Sequence, residues 1–243
     1  MQPVEMATAN FVRHVQQNAY PGRGFVVGRS SSDEAWLMVY WIMGRSAQSR
    51  NRHFVAAGET LRTEPVDPSL LADPSLLIYE AMLELPGIYL VGNGDQVRTL
   101  HDALLAEESF DTALATREHE PDAPHYTPRI SAMLEMQKRP ASLTLSILKA
   151  NVVNPHDTDR FTYRPALLPA GLGVGLTTYL GDGNPLPSFS GDPLLLPCLG
   201  PVEEVLEAYW EALNPDNRVA IAVKHISEDC SKSQMVIRNR FAA

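Results

Sequence analysis

Residues 116–131 of this chain contain its densest group of side chains that could transfer protons. The segment carries two Arg, two Glu, one Asp, two His and one Tyr, together with three prolines. Proline fixes φ and removes a backbone donor, so neither a continuous helix nor an inner strand is expected there. A stiff loop of this kind can hold acids and bases in fixed positions, as general acid–base catalysis requires. A solvated connection whose charges face water is the alternative, and the segment alone suits both interpretations.

Residues 44–52 form a second polar segment, with three Arg, two Ser, one Gln and one Asn directly after an apolar strand pattern. Arginine presents a planar fork that matches phosphate oxygens, and charge-assisted hydrogen bonds are strong. The segment therefore predicts a site for a phosphate monoester, with a polar hairpin tip as the alternative.

The charge of the chain is unevenly distributed. Residues 1–62 contain seven Arg, no Lys and four acids, a local charge of +3, whereas the whole chain has a net charge of −9. An arginine cluster in an acidic protein favours a small anionic ligand over nucleic acid, whose partners usually show a basic face. In the alternative interpretation, these arginines only form ion pairs on the protein surface.

Two further turns carry polar side chains where strand patterns end. Asn-Gly-Asp-Gln at 93–96 fits a turn followed by a helix N-cap, or amide groups directed at an anion or a base edge. Asn184, within the turn at 181–189, could bind a carboxamide or a purine edge, or belong to a plain turn. The sequence contains no P-loop, no dinucleotide fingerprint and no metal-ligand spacing, so no cofactor and no metal are expected.

Apolar periodicity predicts the elements that must position these loops. Helices are expected at residues 3–19, 95–107, 110–115 and from 201 onward. Strands are expected at 24–29, 35–43, 52–56, 75–83, 87–92, 129–136, 142–149, 158–163, 173–181 and 218–226. Apolar residues at both odd and even positions of 35–43 predict a strand that is buried on both faces. Many strands with few helices indicate an α+β fold.

Length and composition limit the class of protein. With 44% hydrophobic residues the chain can bury a large core, and we expect one domain spanning residues 1–243. No apolar run reaches the length of a membrane span, and no secretory signal is visible. Cys198 and Cys230 form no Cys-x-x-Cys pair. We therefore expect a cytoplasmic protein without a disulfide framework.

Six segments occur in an order that resembles the archaeal-type inosine monophosphate (IMP) cyclohydrolase family, in particular its bacterial members. They are Tyr-Pro-Gly-Arg-Gly at 20–24, Trp-Ile-Met-Gly-Arg-Ser at 41–46 with Ser-Arg-Asn-Arg at 49–52, Asn-Gly-Asp-Gln at 93–96, Thr-Arg-Glu-His-Glu-Pro-Asp-Ala-Pro at 116–124, Tyr-Thr-Pro-Arg-Ile-Ser at 126–131, and Gly-Asp-Gly-Asn-Pro-Leu-Pro-Ser-Phe at 181–189. The resemblance leaves the N-terminal helix at 1–19 and residues 227–243 outside it.

The resemblance implies a four-layer αββα sandwich like that of N-terminal-nucleophile hydrolases, without their terminal nucleophile. The start of the chain, Met1-Gln2-Pro3, agrees, because it offers no Ser, Thr or Cys. The implied reaction closes the purine ring: 5-formamidoimidazole-4-carboxamide ribotide loses water and becomes IMP, in the last step of de novo purine synthesis. The implied partner is a purine ribonucleotide, with no nucleic acid and no membrane, and the family suggests a homo-oligomer.

For that reaction the sequence offers candidates that would bind the substrate. Those for the ribotide phosphate are Arg45, Ser46, Arg50 and Arg52, with Arg23 as a helper. Those that would orient the carboxamide and the imidazole are Asn93, Asp95 and Asn184, with Lys149 as an electrostatic partner.

The catalytic candidates all lie in the proline-containing loop. Glu118 and Glu120 are two residues apart and would face one side of an extended chain, where one carboxylate raises the pKa of the other. One would then act as base and the other as acid. Tyr126 and Arg129 would stabilise the oxyanion or donate a proton to the leaving oxygen. In the competing structural interpretation, Glu118 and Arg129 pair with each other and only fix the loop.

Two functions from other classes remain open at this point. A non-catalytic purine-nucleotide-binding protein on the same scaffold would bind IMP without turnover. An amide hydrolase of the N-terminal-nucleophile type would require processing that exposes Ser, Thr or Cys, so an intact-mass spectrum of the uncleaved chain would count against it.

Overall fold

The computed structural model describes residues 2–70, 74–137 and 140–241, which contain five α-helices and thirteen strands. The helices are α1 (Pro3–Phe11), α2 (Ala47–Arg50), α3 (Gln96–Leu105), α4 (Phe110–Ala115) and α5 (Val202–Ala212). The strands are β1 (Gly24–Arg29), β2 (Trp36–Met43), β3 (His53–Ala57), β4 (Thr60–Glu64), β5 (Glu80–Leu85), β6 (Ile88–Gly92), β7 (Arg129–Glu135), β8 (Ser142–Ala150), β9 (Thr158–Tyr163), β10 (Leu172–Thr177), β11 (Leu194–Pro197), β12 (Arg218–Ile226) and β13 (Ser233–Asn239).

The strands form two antiparallel sheets. One sheet has six strands in the order β11-β10-β1-β2-β12-β13, and the other has seven in the order β3-β4-β5-β6-β7-β8-β9. Every strand pair is antiparallel, and hairpins join most neighbours of the seven-stranded sheet. Two antiparallel sheets with few helices confirm the mixed α and β composition that the sequence predicts.

Strand β2 forms the centre of the core, and its two faces have different partners. Trp41 stacks on Tyr209 of α5 with ring centroids 5.9 Å apart. Tyr40, which points to the opposite face, donates or accepts a 2.7 Å hydrogen bond with the hydroxyl of Tyr79 and contacts Phe54 of the other sheet. All eight residues of β2 are buried, which confirms the expectation of burial on both faces.

A second apolar cluster lies between the seven-stranded sheet and the helices α3 and α4. Leu90 of β6, Leu100 of α3 and Leu114 of α4 are among its buried members. Because α3 contacts β5, β6 and β7, it covers the middle of that sheet. None of the helices in the described parts of the chain combines the length and apolar content that a membrane crossing needs.

Several boundaries differ from the sequence-based expectations. The helix expected at 3–19 is α-helical only to Phe11 and continues as a π-helical turn at Val12–Gln16. The strand expected at 75–83 begins only at Glu80, and the one expected at 173–181 ends at Thr177. The elements α2, β4, β11 and β13 were not predicted, because each is short or partly exposed and so carries little periodic signal.

Candidate active site

A cavity of about 390 Å³ opens at one end of the six-stranded sheet. In that sheet Gly24, the first residue of β1, lies opposite Trp41 near the end of β2 and opposite Thr177 at the end of β10. Antiparallel pairing therefore brings the segment before β1 next to the segments that follow β2 and β10. The proline-containing loop before β7 covers the same end. The cavity is lined by residues of all four segments, among them Tyr20, Arg23, Arg45, Ser46, Ser49, Arg52, Glu120, Asp122, His125, Thr127, Tyr179 and Leu186.

Gly22 allows two of these segments to approach each other closely. Its φ of +74° lies in the left-handed region, which favours glycine. A Cβ at this position would lie 2.1 Å from Thr178 Oγ1 and 2.5 Å from the Tyr179 ring. The glycine of the Tyr-Pro-Gly-Arg-Gly segment is therefore required where the chain passes beneath Tyr179.

A buried ion pair joins the first segment to the proline-containing loop. Arg23 Nη2 donates to Glu120 Oε2 over 2.8 Å, and the two side chains are only 10% and 3% exposed. Arg23 Nη1 donates to the Asn93 carbonyl over 2.8 Å, and the Glu120 amide donates to the Thr127 carbonyl over 2.9 Å. Glu120 is thus held from its backbone and from one carboxylate oxygen.

Two buried polar atoms of the cavity wall remain without a partner among the described residues: Glu120 Oε1 and Arg52 Nη1. The rest of the Arg52 guanidinium is bound, because Nε donates to the Ser49 carbonyl and Nη2 to the Met43 carbonyl, at 2.9 Å and 3.2 Å. Buried polar groups are rarely unpaired, so each such atom needs an explanation. A ligand N–H group would be the missing partner of Glu120 Oε1, and an anionic oxygen would be that of Arg52 Nη1.

The Glu120 carboxyl has a pKa above its ordinary value, chiefly because burial disfavours the charged form. The neighbouring Arg23 charge opposes this rise, and the Asp122 charge adds to it. The expected pairing of Glu118 with Glu120 on one side of the loop is wrong: Glu118 is exposed, whereas Glu120 is 2% exposed. The loop turns between them, so Asp122 is the acid whose charge acts on Glu120.

The mouth of the cavity carries the arginine and serine side chains of the segment after β2. Arg45 pairs with Asp182, donates to the Gly183 carbonyl over 2.9 Å, and lies over the Tyr20 ring at 5.0 Å from its centroid. Ser46 and Ser49 cap α2 reciprocally, since each hydroxyl accepts a hydrogen bond from the backbone N–H of the other. The segment expected to be a phosphate loop or a hairpin tip therefore contains a short helix.

Arg50 belongs to the same segment, but the structure does not bring it to the cavity. Its Nε donates to the Gly44 carbonyl over 2.9 Å and its Nη2 to Asn217 Oδ1 over 3.2 Å. Because α2 turns the chain, Arg50 and Arg52 point to different surroundings. Two more residues that were expected to bind the substrate also lie outside the cavity lining. Lys149 donates to the Phe189 carbonyl over 3.4 Å, and Asn184 is exposed in its turn.

Asn93 and Asp95 support the site instead of lining it. The Asn93 side chain donates to the Pro128 carbonyl and accepts from the Ile130 amide, each over 2.8 Å. Asp95 pairs with Arg129 over 2.6 Å and also with Arg117, so its carboxylate fixes the two ends of the proline-containing loop.

Arg129 and Tyr126 are likewise absent from the cavity lining. The proposed Glu118–Arg129 pair is wrong, since the carboxylate partner of Arg129 is Asp95. The Tyr126 ring packs edge to face against His119 and His156, with centroids 5.5 Å and 5.9 Å away.

The sequence-based candidates did not include several side chains of the lining, among them Tyr20, Ser49, Asp122, His125, Thr127 and Tyr179. Asp122, His125 and Thr127 lie in the proline-containing loop that the sequence analysis identified. The sequence gives their residue types but not the directions in which their side chains point. Tyr179 follows a strand, and no local pattern distinguishes it. His125 Nδ1 accepts a 3.1 Å hydrogen bond from the Leu186 amide, so the ring proton of the neutral side chain is on Nε2.

Comparison with known proteins adds one finding to this geometry. A family model described as IMP cyclohydrolase-like protein matches residues 20–230, which include every segment that lines the cavity. A search of the curated proteins gave no match.

Proposed function

This chain belongs to the IMP cyclohydrolase-like family, and from that membership we propose that it dehydrates 5-formamidoimidazole-4-carboxamide ribotide to IMP. The observation that carries the proposal is the pair of unsatisfied atoms in one cavity, Glu120 Oε1 and Arg52 Nη1. The cavity volume of about 390 Å³ also falls within the range of roughly 300–1,000 Å³ that is typical of small-molecule sites.

Ring closure forms one C–N bond and releases one water molecule. The carboxamide nitrogen attacks the formyl carbon and loses a proton, and the formyl oxygen becomes a hydroxyl group. The formamido nitrogen then loses its proton as the hydroxyl departs as water, and a C=N bond forms. The site must hold the formyl group folded back on the carboxamide, take a proton from nitrogen and deliver one to oxygen.

We assign the proton transfers from nitrogen to Glu120. Glu120 lines the cavity, its oxygen Oε1 has no partner among the described residues, and Oε2 is held by Arg23. A buried carboxylate whose pKa is raised is a better proton acceptor than an exposed one, because its charged form is less stabilised. The same carboxylic acid, once protonated, can return the proton to the departing oxygen.

We assign phosphate binding to Arg45 and Arg52, with the Ser46 and Ser49 hydroxyl groups at the mouth of the cavity. Guanidinium groups form strong charge-assisted hydrogen bonds with phosphate oxygens. The Arg45 side chain is about one-third exposed and Arg52 is buried, so the phosphate would lie between solvent and the cavity interior.

Arg52→Ala is expected to raise KM by roughly 10–100-fold with a smaller change in kcat, because a charge-assisted hydrogen bond contributes about 1.5–3 kcal/mol. Arg50→Ala is the matched control: it also removes a guanidinium bound to a backbone carbonyl of the same segment, and its KM should stay near the wild-type value. Steady-state kinetics with both variants measures this. An equal rise of KM in Arg50→Ala would mean that Arg50 also binds the phosphate, as the sequence analysis expected.

The activity should decline at acidic pH. As a base, Glu120 works when ionised, and its pKa is raised, so kcat/KM falls as pH decreases through a value above 4.5, the ordinary pKa of a glutamic acid. Measurement of kcat/KM as a function of pH would locate this decline. If the rate were constant from pH 8 down to about 4.5, Glu120 would not be the base.

Conversion of the formamido ribotide, followed by ultraviolet absorbance, tests the function directly. Turnover by the purified protein supports the proposal. Binding of IMP in calorimetry without turnover would instead assign the chain as a nucleotide-binding protein on the same scaffold.

We also propose a four-layer αββα arrangement resembling that of N-terminal-nucleophile hydrolases, within a single domain. The contacts of Trp41 with α5, of Tyr40 with Tyr79, and of α3 with the seven-stranded sheet support this order of layers. The main apolar cluster includes residues of both sheets, which supports one domain. Assembly into a homo-oligomer remains a prediction, which light scattering would test.

A further inference from the structure

Three side chains on one wall of the cavity form a hydrogen-bonded chain that has no part in the steps above. The hydroxyl group of Tyr179 bonds to Thr127 Oγ1, and Thr127 Oγ1 bonds to Oδ2 of Asp122. The backbone N–H of Thr127 donates to Oδ1 of the same Asp122 over 2.6 Å. All three residues line the cavity.

The protons of this chain have one consistent arrangement. A carboxylate only accepts hydrogen bonds, so the single hydroxyl proton of Thr127 is donated to Asp122. Thr127 Oγ1 then has only lone pairs for Tyr179, so the Tyr179 proton is donated to Thr127. The Tyr179 hydroxyl makes no other hydrogen bond among the described residues. Its oxygen therefore presents lone pairs, and no proton, to the cavity.

We infer that Tyr179 acts in this site as a hydrogen-bond acceptor that selects a ligand N–H group over a carbonyl or phosphate oxygen. The ring is held in place, since it stacks on Tyr20 with centroids 5.8 Å apart and an interplanar angle of 21°. Burial also raises the pKa of Tyr179, which keeps the phenol protonated and the direction of its hydrogen bond unchanged.

The identity of that N–H group rests on the proposed function. The substrate carboxamide nitrogen carries two protons, of which one leaves during ring closure and the other remains as the N1–H of IMP. Tyr179 accepts a hydrogen bond from the proton that remains, which directs the other N–H toward Glu120. Tyr179 and Glu120 both line this cavity. Tyr179 is thus a residue that positions the attacking nitrogen.

Asp122→Asn should reverse the direction of the whole chain. The Thr127 N–H requires an oxygen at the position of Oδ1, so the new amide group places its NH2 against Thr127 Oγ1. Thr127 would then donate to Tyr179, and the Tyr179 proton would turn into the cavity. The substitution therefore converts Tyr179 from an acceptor to a donor without changing the tyrosine.

Neutron diffraction from the deuterium-exchanged, ligand-free protein at neutral pH tests the proton arrangement independently of any activity. We expect the Tyr179 deuteron to point at Thr127 in the wild type. A deuteron that points into the cavity would overturn the inference, whether or not the protein is a cyclohydrolase.

Calorimetry with two nucleotides tests the consequence for binding. IMP offers an N1–H donor, whereas purine ribotide without the 6-oxo group offers an N1 acceptor at the same place. The wild type should prefer IMP by about tenfold, and in Asp122→Asn the ratio of the two affinities should shift by about tenfold toward the analogue. Tyr179→Phe, which lacks the hydroxyl group, should also lose most of the preference.

Asp182→Asn is the matched control, because Asp182 pairs with Arg45 at the cavity mouth and is outside the Asp122–Thr127–Tyr179 chain. It should change both affinities alike and leave their ratio unchanged. An unchanged ratio in both Asp122→Asn and Tyr179→Phe would overturn the inference. If the wild type bound neither nucleotide, the proposed function would fail, and the neutron experiment would still decide the role of Tyr179.

Discussion

Glu120→Gln is expected to lower kcat by roughly 10²–10⁴-fold, the usual contribution of a well-placed general base. Glutamine has the shape of glutamate, so the Arg23 hydrogen bond to the side chain can be kept. Its amide group cannot take a proton from the carboxamide nitrogen, so the chemical step slows while KM stays within a few-fold of the wild-type value. The rate of absorbance change at saturating formamido ribotide measures this effect.

Glu118→Gln is the matched control for this prediction. It removes the same charge two residues away, but its side chain is exposed and outside the cavity lining. Its kcat should stay near the wild-type value. Comparable losses of kcat in the two variants would mean that Glu118 also takes part in the mechanism. Full activity in Glu120→Gln would exclude Glu120 as the base.

Arg23→Met is expected to reduce the free energy of unfolding by about 3–5 kcal/mol at neutral pH, because it leaves the Glu120 carboxylate buried without its ionic partner. Urea denaturation followed by circular dichroism would measure the loss. The loss should become smaller at acidic pH. The folded-state pKa of Glu120 is already raised and would rise further without Arg23, so protonation stabilises the folded variant as pH falls through that pKa.

The double variant Arg23→Met/Glu120→Leu separates the effect of an unpaired charge from a general loss of packing. Replacing both partners of a buried ion pair by apolar side chains is often neutral or stabilising. The double variant should therefore recover most of the stability that Arg23→Met loses, while it remains inactive. A double variant less stable than Arg23→Met would mean that the pair contributes mainly through its packing.

Much of the fold follows from local patterns in the sequence. The strand at 24–29, the helix at 110–115, and the strands at 158–163 and 218–226 occur with the expected bounds. The helix at 110–115 buries Phe110, Ala113 and Leu114, which have helical spacing. The edge strand β13 was not expected, because it is partly exposed and has weak periodicity. Its place in the sheet depends on pairing with β12, which is a contact between strands and not a property of the segment.

The sequence by itself indicated two segments that line the cavity, the one with the arginines after β2 and the proline-containing loop with its acids. It also determined the family to which the chain belongs. The tertiary structure decided which atoms of those segments reach the cavity. Glu120 and not Glu118, and Arg52 and not Arg50, lie in its wall. The physical reason is that side-chain direction in a loop depends on distant partners. Arg23 and Glu120 are 97 residues apart in the chain, and Thr127 and Tyr179 are 52 apart. A local pattern of residue types specifies neither contact, because both form only when the two sheets and their loops pack together.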